Sequence, residues 1–510
     1  MKKMTRKEFL GLSAATLGST MLGRSASAQS ASSEDKSPND GRPTLIRGAD
    51  VLTMSSDQLE LPNTDVLIEN GRIADIGQGL PATGVAVVEA DGMILMPGMC
   101  DGHRHLWHTF DAGRLVKTFP RSYARYQEWK MRTIVSTQPE DHYLAGYVGG
   151  LMAIDSGVTS LIDFAHGQVD EASALAAAQG AKESGVGGWF AFQMGVAADY
   201  KPGESVPMER ALSLRIAPST EKHWAIAERL QKDVFSSGND IMQLGLAPSH
   251  MLGASLDDIR TEWTRARDMG IRMLAAHIHK PASPHPAGTM GHRDSGVPDL
   301  ADAGLLGPDF HLAHANRLTA VELGMLRDTG GMVCATAMGE IPYMANPHRG
   351  PSCHGRAREA GVATGVGIDV NIGLTQDYFE HARASFWNLY LSPEGTAIAQ
   401  GYKSEDTLDF VTALGARAMR LGDVTGTISV GMRADLVLLK TDRIGFAMQG
   451  SLADRVLNFA SREDIDSVWV AGKARKRDGR MIGVDWARLK TDIARAQERI
   501  GPLAASITFT

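Results

Sequence analysis

The chain has 510 residues, of which 43% are hydrophobic and 22% are charged, and its formal net charge is −7 at pH 7. These values are typical of a globular protein that is long enough for two or three ordinary domains, or for one large barrel with an accessory domain. The acidic balance provides no basic surface for nucleic acid, so small molecules are the expected partners. The 3 cysteines form no CxxC pair, and their odd number argues against a disulfide framework.

The N-terminal 28 residues have the pattern of an export signal. Basic residues precede position 8, a mildly apolar run follows over 9–22, and small residues at 26–28 supply a cleavage site. The stretch TRKEFL resembles a twin-arginine signal in which Lys7 replaces the second arginine; ordinary secretion is the alternative. We predict a periplasmic or secreted protein with a signal at 1–28 and a disordered linker at 29–42. No later run is long enough to cross a membrane, so no stable insertion is expected after signal removal.

Short β-branched runs between Thr44 and Val88 predict a small β unit, which we assign to residues 43–96. The pair Asn70-Gly71 lies between two such runs and is typical of a tight hairpin turn.

The central part of the chain, residues 97–423, alternates strand-like and helical stretches. Strands are predicted at 94–105, 159–163, 189–192, 242–246, 272–277, 310–314, 332–335 and 362–369. Eight strand and helix repeats over about 330 residues fit a parallel (β/α)8 barrel, whose active site lies where the strands end.

After Asp423 the pattern returns to β, with strands predicted at 426–428, 434–439 and 468–472. Neither flank has enough strands to bury a face alone, so we predict that 43–96 and 424–484 pair into one small β-sandwich. A helix at 486–499 and a tail complete the chain over 485–510. A homo-oligomer formed through the sandwich or the last helix stays open.

Chemistry is first indicated by His103 and His105, which follow the turn residues Pro97 and Gly98. Side chains two residues apart on an extended strand point the same way, as two ligands of one metal ion must. A His-x-His pair alone is more often a surface feature, so the hypothesis of a metallohydrolase depends on its context.

That context is a resemblance to a known superfamily. Residues 97–105, PGMCDGHRH, resemble the opening metal motif of the amidohydrolase superfamily, and residues 425–437, TGTISVGMRADLV, resemble its closing sandwich signature. The branch most similar to the chain holds cytosine deaminases, chlorohydrolases and adenosyl-homocysteine deaminases. The resemblance implies a barrel enzyme that hydrolyses a non-peptide C–N bond of a small cyclic or aromatic molecule, by attack of metal-bound hydroxide.

The resemblance also implies a set of metal ligands. His103 and His105 match the family's first-strand pair. His277 matches its fifth-strand histidine, and Asp369 matches the carboxylate after the eighth strand. Three imidazoles and one carboxylate suit one divalent ion, with zinc favoured and iron the alternative. The fourth-strand region 243–250 has no lysine that could bridge a second ion.

The catalytic roles follow from the same match. Asp369 is expected to accept and pass on the proton, and His314, on the sixth strand, to stabilise the tetrahedral intermediate. His250 is a candidate for orienting substrate, with a turn-capping role as the alternative. Trp107 is a candidate for an aromatic wall against a flat substrate, with ordinary packing as the alternative.

One departure from the branch concerns the proton shuttle. Deaminases of this branch carry His-x-x-Glu on the fifth strand, whereas here Lys280 occupies the glutamate position. The candidates to replace that glutamate are His279 and Glu340, each of which could instead be a solvated loop residue. The departure leaves ring deamination and the hydrolysis of an amide, urea or carbamate both open. A barrel that binds or assembles without catalysis is a remote alternative, which the four retained ligands argue against.

Overall fold

Two β-sheets organise the fold in the computed structural model. It describes residues 41–111, 123–214, 217–238, 240–248, 255–278, 297–341, 351–370, 373–447 and 450–510, which belong to one compact unit. No helix among these residues combines the length and apolar character of a membrane span.

The larger sheet is built from both ends of the chain. Its strands are β1 (Thr44–Leu52), β2 (Glu60–Glu69), β3 (Arg72–Gly77), β4 (Ala86–Glu89), β5 (Ile94–Pro97), and, far downstream, β15 (Leu436–Leu439), β16 (Ile465–Val470), β17 (Lys473–Arg477) and β18 (Arg480–Met481). Their order is β18-β17-β16-β15-β5-β1-β2-β3, with β4 beside β1. β15 pairs antiparallel with β5, so the two flanks form one small domain as predicted.

The barrel lies between these flanks. Its eight parallel strands are β6 (Met99–Arg104), β7 (Val158–Ala165), β8 (Gly187–Gln193), β10 (Met242–Ala247), β11 (Leu274–Ile278), β12 (Phe310–His314), β13 (Met332–Ala335) and β14 (Ala363–Val366). The short β9 (Ser205–Val206) pairs instead with β19 (Thr508–Phe509). The predicted (β/α)8 barrel with a flanking β domain is thus confirmed.

The barrel interior follows from the two-residue period of its strands. Trp189 and Ala191 on β8, and Met273 and Ala275 at β11, are buried in one interior cluster, while the intervening residues face the surrounding helices. Strands buried on both faces need continuous apolar runs, which explains why these segments show little polar alternation.

The helices cover the barrel and the sheet. They are α1 (Tyr123–Ile134), α2 (Pro139–Asp155), α3 (Glu171–Ser184), α4 (Met208–Ser213), α5 (Glu221–Arg229), α6 (Leu256–Asp268), α7 (Val297–Asp302), α8 (Ala320–Thr329), α9 (Ala337–Glu340), α10 (His354–Glu359), α11 (Tyr378–Leu389), α12 (Pro393–Ala399), α13 (Ser404–Asp409), α14 (Ala413–Arg417), α15 (Leu452–Phe459) and α16 (Trp486–Ala505). A 3₁₀ turn, Leu106–Asp111, directly follows the first barrel strand.

The barrel closes between its first and last strands at the end where the strands finish. The Asp369 amide donates to the His103 carbonyl at 2.8 Å, and the His105 amide donates to the Asp369 carbonyl at 3.1 Å. Tyr378 adds a side-chain tie, because its hydroxyl lies 2.9 Å from the Cys100 carbonyl oxygen and 2.8 Å from that of Val366.

Two sequence predictions differ from the structure. Residues 426–428 form no strand: Ile428 makes one sheet-like bond, from its amide to the Thr53 carbonyl at 2.8 Å. Gly426 and Gly431 adopt φ of 101° and 90°, which interrupts the extended run. The C-terminal helix continues past residue 499 to Ala505, with Pro502 inside it.

Candidate active site at the carboxyl end of the barrel

Four side chains converge where the barrel strands end. His103 lies on β6 and His105 just beyond it, His277 lies on β11, and Asp369 follows β14. The Nε2 atoms of His103 and His277 are 3.0 Å apart. Oδ1 of Asp369 lies 3.1 Å from Nε2 of His105 and 3.6 Å from Nε2 of His103. The structure therefore brings the four expected ligands together.

The orientation of His105 is set by the neighbouring strand. Its Nδ1 lies 2.7 Å from the carbonyl oxygen of Phe164, so Nδ1 carries the proton and donates it to that oxygen. Nε2 then keeps its lone pair on the side of Asp369. A histidine that donates its other nitrogen to a carbonyl is the usual arrangement for a metal ligand, because the bond fixes both tautomer and ring orientation.

Backbone strain coincides with the site. His314 has φ of 71°, Ala315 of 55° and Asp369 of 66°, a left-handed region that non-glycine residues rarely occupy. Each such residue costs about 1 kcal/mol or more, so it persists only where surrounding contacts hold it. At Asp369 those contacts are the two backbone hydrogen bonds to the first strand.

The charge state of the group suits a cation. Burial lowers the pKa of His103 to about 3, so this imidazole is neutral at pH 7. Burial alone would raise the pKa of Asp369, but the imidazoles of His103 and His105 beside its carboxylate hold it well below its ordinary value. Neutral imidazoles and an ionised carboxylate are the protonation states that a divalent metal requires.

The packing of these donors fits a metal ion. Two imidazole nitrogens at 3.0 Å share at most one proton, and a carboxylate oxygen of Asp369 lies 3.6 Å from one of them. His103 belongs to two groups of three donor atoms, one with His105 and His277 and one with His314 and Asp369, and within each group the atoms lie within 4.8 Å of one another. A cation between the donors would satisfy their lone pairs.

His314 lies beside this group, and its ring centroid is 5.2 Å from that of His103 and from that of His277. Its Nδ1 lies 2.9 Å from Oε1 of Glu340 and 2.9 Å from Oγ1 of Thr336. Glu340, one of the candidates for the proton shuttle, is only 1% exposed and contacts the site through His314. Sequence reasoning did not single out Thr336, although it stands one helical turn before Glu340.

Trp107 is 4% exposed and is packed among other rings. It stacks on His108 at a centroid distance of 4.0 Å, and its Nε1 donates to Nδ1 of His166 at 3.1 Å. A Cβ at Gly167 would approach the Trp107 ring to 2.4 Å, so that position requires glycine. Sequence reasoning missed His166; the signal was its position directly after the second barrel strand. These contacts make Trp107 part of the ring cluster that packs behind His105, an expected ligand.

A buried ion pair supports the first strand. Nε of Arg104 donates to Oδ2 of Asp101 at 2.7 Å, and both side chains are 0% exposed. Oδ1 of Asp101 also accepts from the amides of His103 at 3.3 Å and Ile368 at 3.1 Å. The pair therefore holds the ligand-bearing ends of the first and eighth strands against each other.

Two candidate residues, His250 and His279, lie outside the described residues, as does Lys280.

Comparison with known proteins gives the same family that the motifs indicate. Residues 94–475 match the Amidohydrolase family. The chain is 23% identical over 463 residues to a 5-methylthioadenosine/S-adenosylhomocysteine deaminase from Desulforamulus reducens, which covers 89% of this chain and 98% of the relative. It is 24% identical over 465 residues to a 5'-deoxyadenosine deaminase from Methanosarcina barkeri, with the same coverage.

Solved structures share the fold. An adenosine deaminase from Xanthomonas campestris with bound zinc has a TM-score of 0.74 and 19% identity, covering 90% of this chain and 98% of its own. A triazine hydrolase from Arthrobacter aurescens has a TM-score of 0.71 and 17% identity, covering 89% and 99%. The family match spans most of the chain and includes the four expected ligands, His103, His105, His277 and Asp369. The chain therefore belongs to the amidohydrolase family.

Proposed function

We propose that the protein is a zinc-dependent hydrolase that cleaves an exocyclic C–N bond of a small, flat nitrogen heterocycle. The single observation that carries this proposal is the convergence of His103, His105, His277 and Asp369 at the carboxyl end of the barrel. The names of the relatives support the substrate class, since they include deaminases of adenine nucleosides and a triazine hydrolase.

His103, His105, His277 and Asp369 would hold the ion. Three nitrogen donors and one oxygen donor favour zinc, and iron is the alternative. Such an ion supplies Lewis-acid activation of water and of the substrate. A zinc-containing adenosine deaminase of the same fold supports this choice.

The residues of the chain then move and hold protons. Asp369 is ionised at neutral pH, so its carboxylate can accept a proton from the attacking water and return it to the departing nitrogen. His314 lies beside the same group and faces the reacting atoms. The low exposure of His103 and His105, 0% and 3%, keeps bulk water away from the donors and strengthens electrostatic interactions there.

Hydrolysis of an amide, urea or carbamate is the second candidate function. It is favoured by one feature of the sequence: Lys280, and not a carboxylate, stands three residues after His277. Hydrolysis of an acyl substrate requires a proton only on the departing nitrogen, which Asp369 can supply, whereas attack on a heterocyclic carbon also requires a proton on the adjacent ring nitrogen, for which a second acid is needed.

A substrate panel tests the two candidates against each other. Purified zinc-loaded protein is incubated with adenine nucleosides, aminotriazines and aminopyrimidines, and separately with amides, ureas and carbamates. We expect ammonia or amine release from the heterocycles. Turnover confined to the acyl compounds would replace the first candidate by the second, and no turnover in either set would overturn the proposed function.

We also propose that residues 1–28 direct export, supported by the basic, apolar and small-residue regions in that order. Expression of the full chain in a bacterial host, followed by fractionation and N-terminal sequencing, tests this. A mature N-terminus at Gln29 in the periplasm is expected. Retention of Met1 in the cytoplasm would contradict it.

A further inference from the structure

The Glu340 carboxylate contacts His314, on the side of that ring that faces away from the expected metal ligands. It closes the short helix α9, whose Ala337 carbonyl accepts from Nδ2 of Asn388 at 2.8 Å. The same helix passes close to the site, because a Cβ at Gly339 would lie 3.9 Å from Oδ2 of Asp369. The Glu340 carboxylate is thus held in place, and the side chain of His314 separates it from the expected metal ligands.

The hydrogen bonds determine which nitrogen of His314 carries the proton. Oγ1 of Thr336 donates its one hydrogen to Oε1 of Glu340 at 3.0 Å. The Thr336 oxygen can then only accept from His314, and the Glu340 oxygen is an acceptor as well. Both lie 2.9 Å from Nδ1 of His314, so Nδ1 must be the protonated nitrogen. In a neutral ring Nε2 then carries the lone pair.

We propose that Glu340 is a positioning residue that fixes His314 in this tautomer, so that Nε2 accepts a hydrogen bond from water or from an N–H or O–H group of the substrate. This acceptor role differs from the expectation that His314 stabilises the tetrahedral intermediate, which would require a donor at Nε2. The effect on turnover rests on the proposed function. The tautomer itself does not, because it follows from buried contacts within the chain: Glu340 is 1% exposed and Thr336 is 0% exposed.

The opposite tautomer would change what the site recognises. With its proton on Nε2, His314 would donate toward the centre and repel the N–H and O–H groups that it otherwise accepts. A polar group that faces an unmatched partner in a buried site loses the interaction and costs additional free energy. Glu340 thereby determines a preference for substrates that present a hydrogen-bond donor at this position.

The first test is spectroscopic and uses the full chain loaded with zinc. Protein labelled with ¹⁵N-histidine gives long-range ¹⁵N–¹H correlations, and the His314 signals are identified by their loss in His314→Gln. We expect a pyrrole-type shift at Nδ1 and a pyridine-type shift at Nε2. The reverse assignment in the wild-type protein would overturn the proposal even if no substrate is found.

The second test separates positioning from a structural role. Glu340→Ala should mix the tautomers and lower kcat by about 10–100-fold, the range found when a supporting partner is removed. Its KM should stay within about twofold, its zinc content should be unchanged, and Glu340→Asp should restore part of kcat. Thr336→Val keeps the Glu340 acceptor and should keep the tautomer.

The matched control is Glu322→Gln. Glu322 is also buried, but it accepts from the Thr319 amide at 2.8 Å at the start of α8 and caps that helix. Its replacement should leave kcat and the His314 shifts unchanged. Kinetics for Glu340→Ala equal to those of this control, or loss of its zinc, would overturn the positioning role. A wild-type protein that turns over nothing would refute only the proposed function.

Discussion

Asp369 and His105 are joined twice, through their side chains and through their backbones. Oδ1 of Asp369 lies 3.1 Å from Nε2 of His105, and the His105 amide donates to the Asp369 carbonyl at 3.1 Å. The same contact therefore closes the barrel and brings two ligand atoms together. We therefore expect stability and metal binding to be coupled at this point.

Replacing His103 by alanine should abolish zinc binding and activity, because it removes a donor shared by both groups of ligand atoms. Elemental analysis and turnover on the substrate panel measure the two effects. His223→Gln is the control, since His223 contacts the Val196 carbonyl oxygen at 3.1 Å and belongs to neither group of donor atoms. Full zinc content in His103→Ala would show that the ligand set is wrong.

Asp369→Asn and Asp369→Ala should separate charge from strain. Both remove the carboxylate, so both should lower zinc affinity by at least about tenfold. Asparagine tolerates the left-handed φ of 66°, whereas alanine pays about 1 kcal/mol more there. We expect the free energy of unfolding, measured by urea denaturation, to be lower for Asp369→Ala than for Asp369→Asn. Equal stabilities would mean that the strain at this residue is relieved in the variants.

Asp101→Leu should destabilise the protein by about 3–5 kcal/mol, because it leaves the fully buried Arg104 guanidinium without its partner. Urea denaturation measures the loss. The double variant Asp101→Leu, Arg104→Met removes both charges and should recover a large part of it. If the double variant is as unstable as the single one, the backbone amides that Asp101 accepts from are the more important contacts.

Stability should fall between about pH 6.5 and pH 4. Four histidines among the described residues have a pKa of about 4, below the ordinary value of 6.5, and burial is the main cause. They are His142, His311, His354 and His381. In this pH range the unfolded chain binds these protons and the folded chain does not, so acid favours unfolding.

His354→Gln isolates one of these contributions. His354 lies 2.9 Å from the Ser385 carbonyl oxygen, to which glutamine can also donate. Between pH 7 and pH 5 the wild-type protein should lose about 2 kcal/mol more unfolding free energy than this variant, from the difference between the two pKa values. Urea titrations at both pH values measure it. Parallel losses would show that His354 binds its proton as readily in the folded state as in the unfolded state.

Much of the fold is visible in local sequence patterns. The predicted Asn70-Gly71 turn joins β2 and β3 with φ of 51° and 79°, and the eight predicted barrel strands overlap the observed ones. The ends of the strands can be predicted from the sequence because polar residues follow the apolar runs there. The expected metal ligands came from the resemblance to the amidohydrolase superfamily, and they lie at the ends of strands that the pattern predicts.

The supporting contacts were not predictable in the same way. The pairing of Glu340 with His314, and of Trp107 with His166, depends on how loops fold back over the barrel, which no periodicity encodes. Burial of Glu340 in particular contradicts its polar character, and only a partner on another strand makes it favourable. Local patterns therefore indicate where the chemistry lies, but not which residues orient it.

The shared sheet also sets an order of events during synthesis. β5 lies between β1 and β15 and leads directly into β6, the strand that carries His103. During synthesis β5 can pair only with β1 until residue 439, the end of β15, has been made. Contacts of such long sequence separation form late and slowly. Nascent chains released before that point would carry every ligand and still fail to mature into an enzyme.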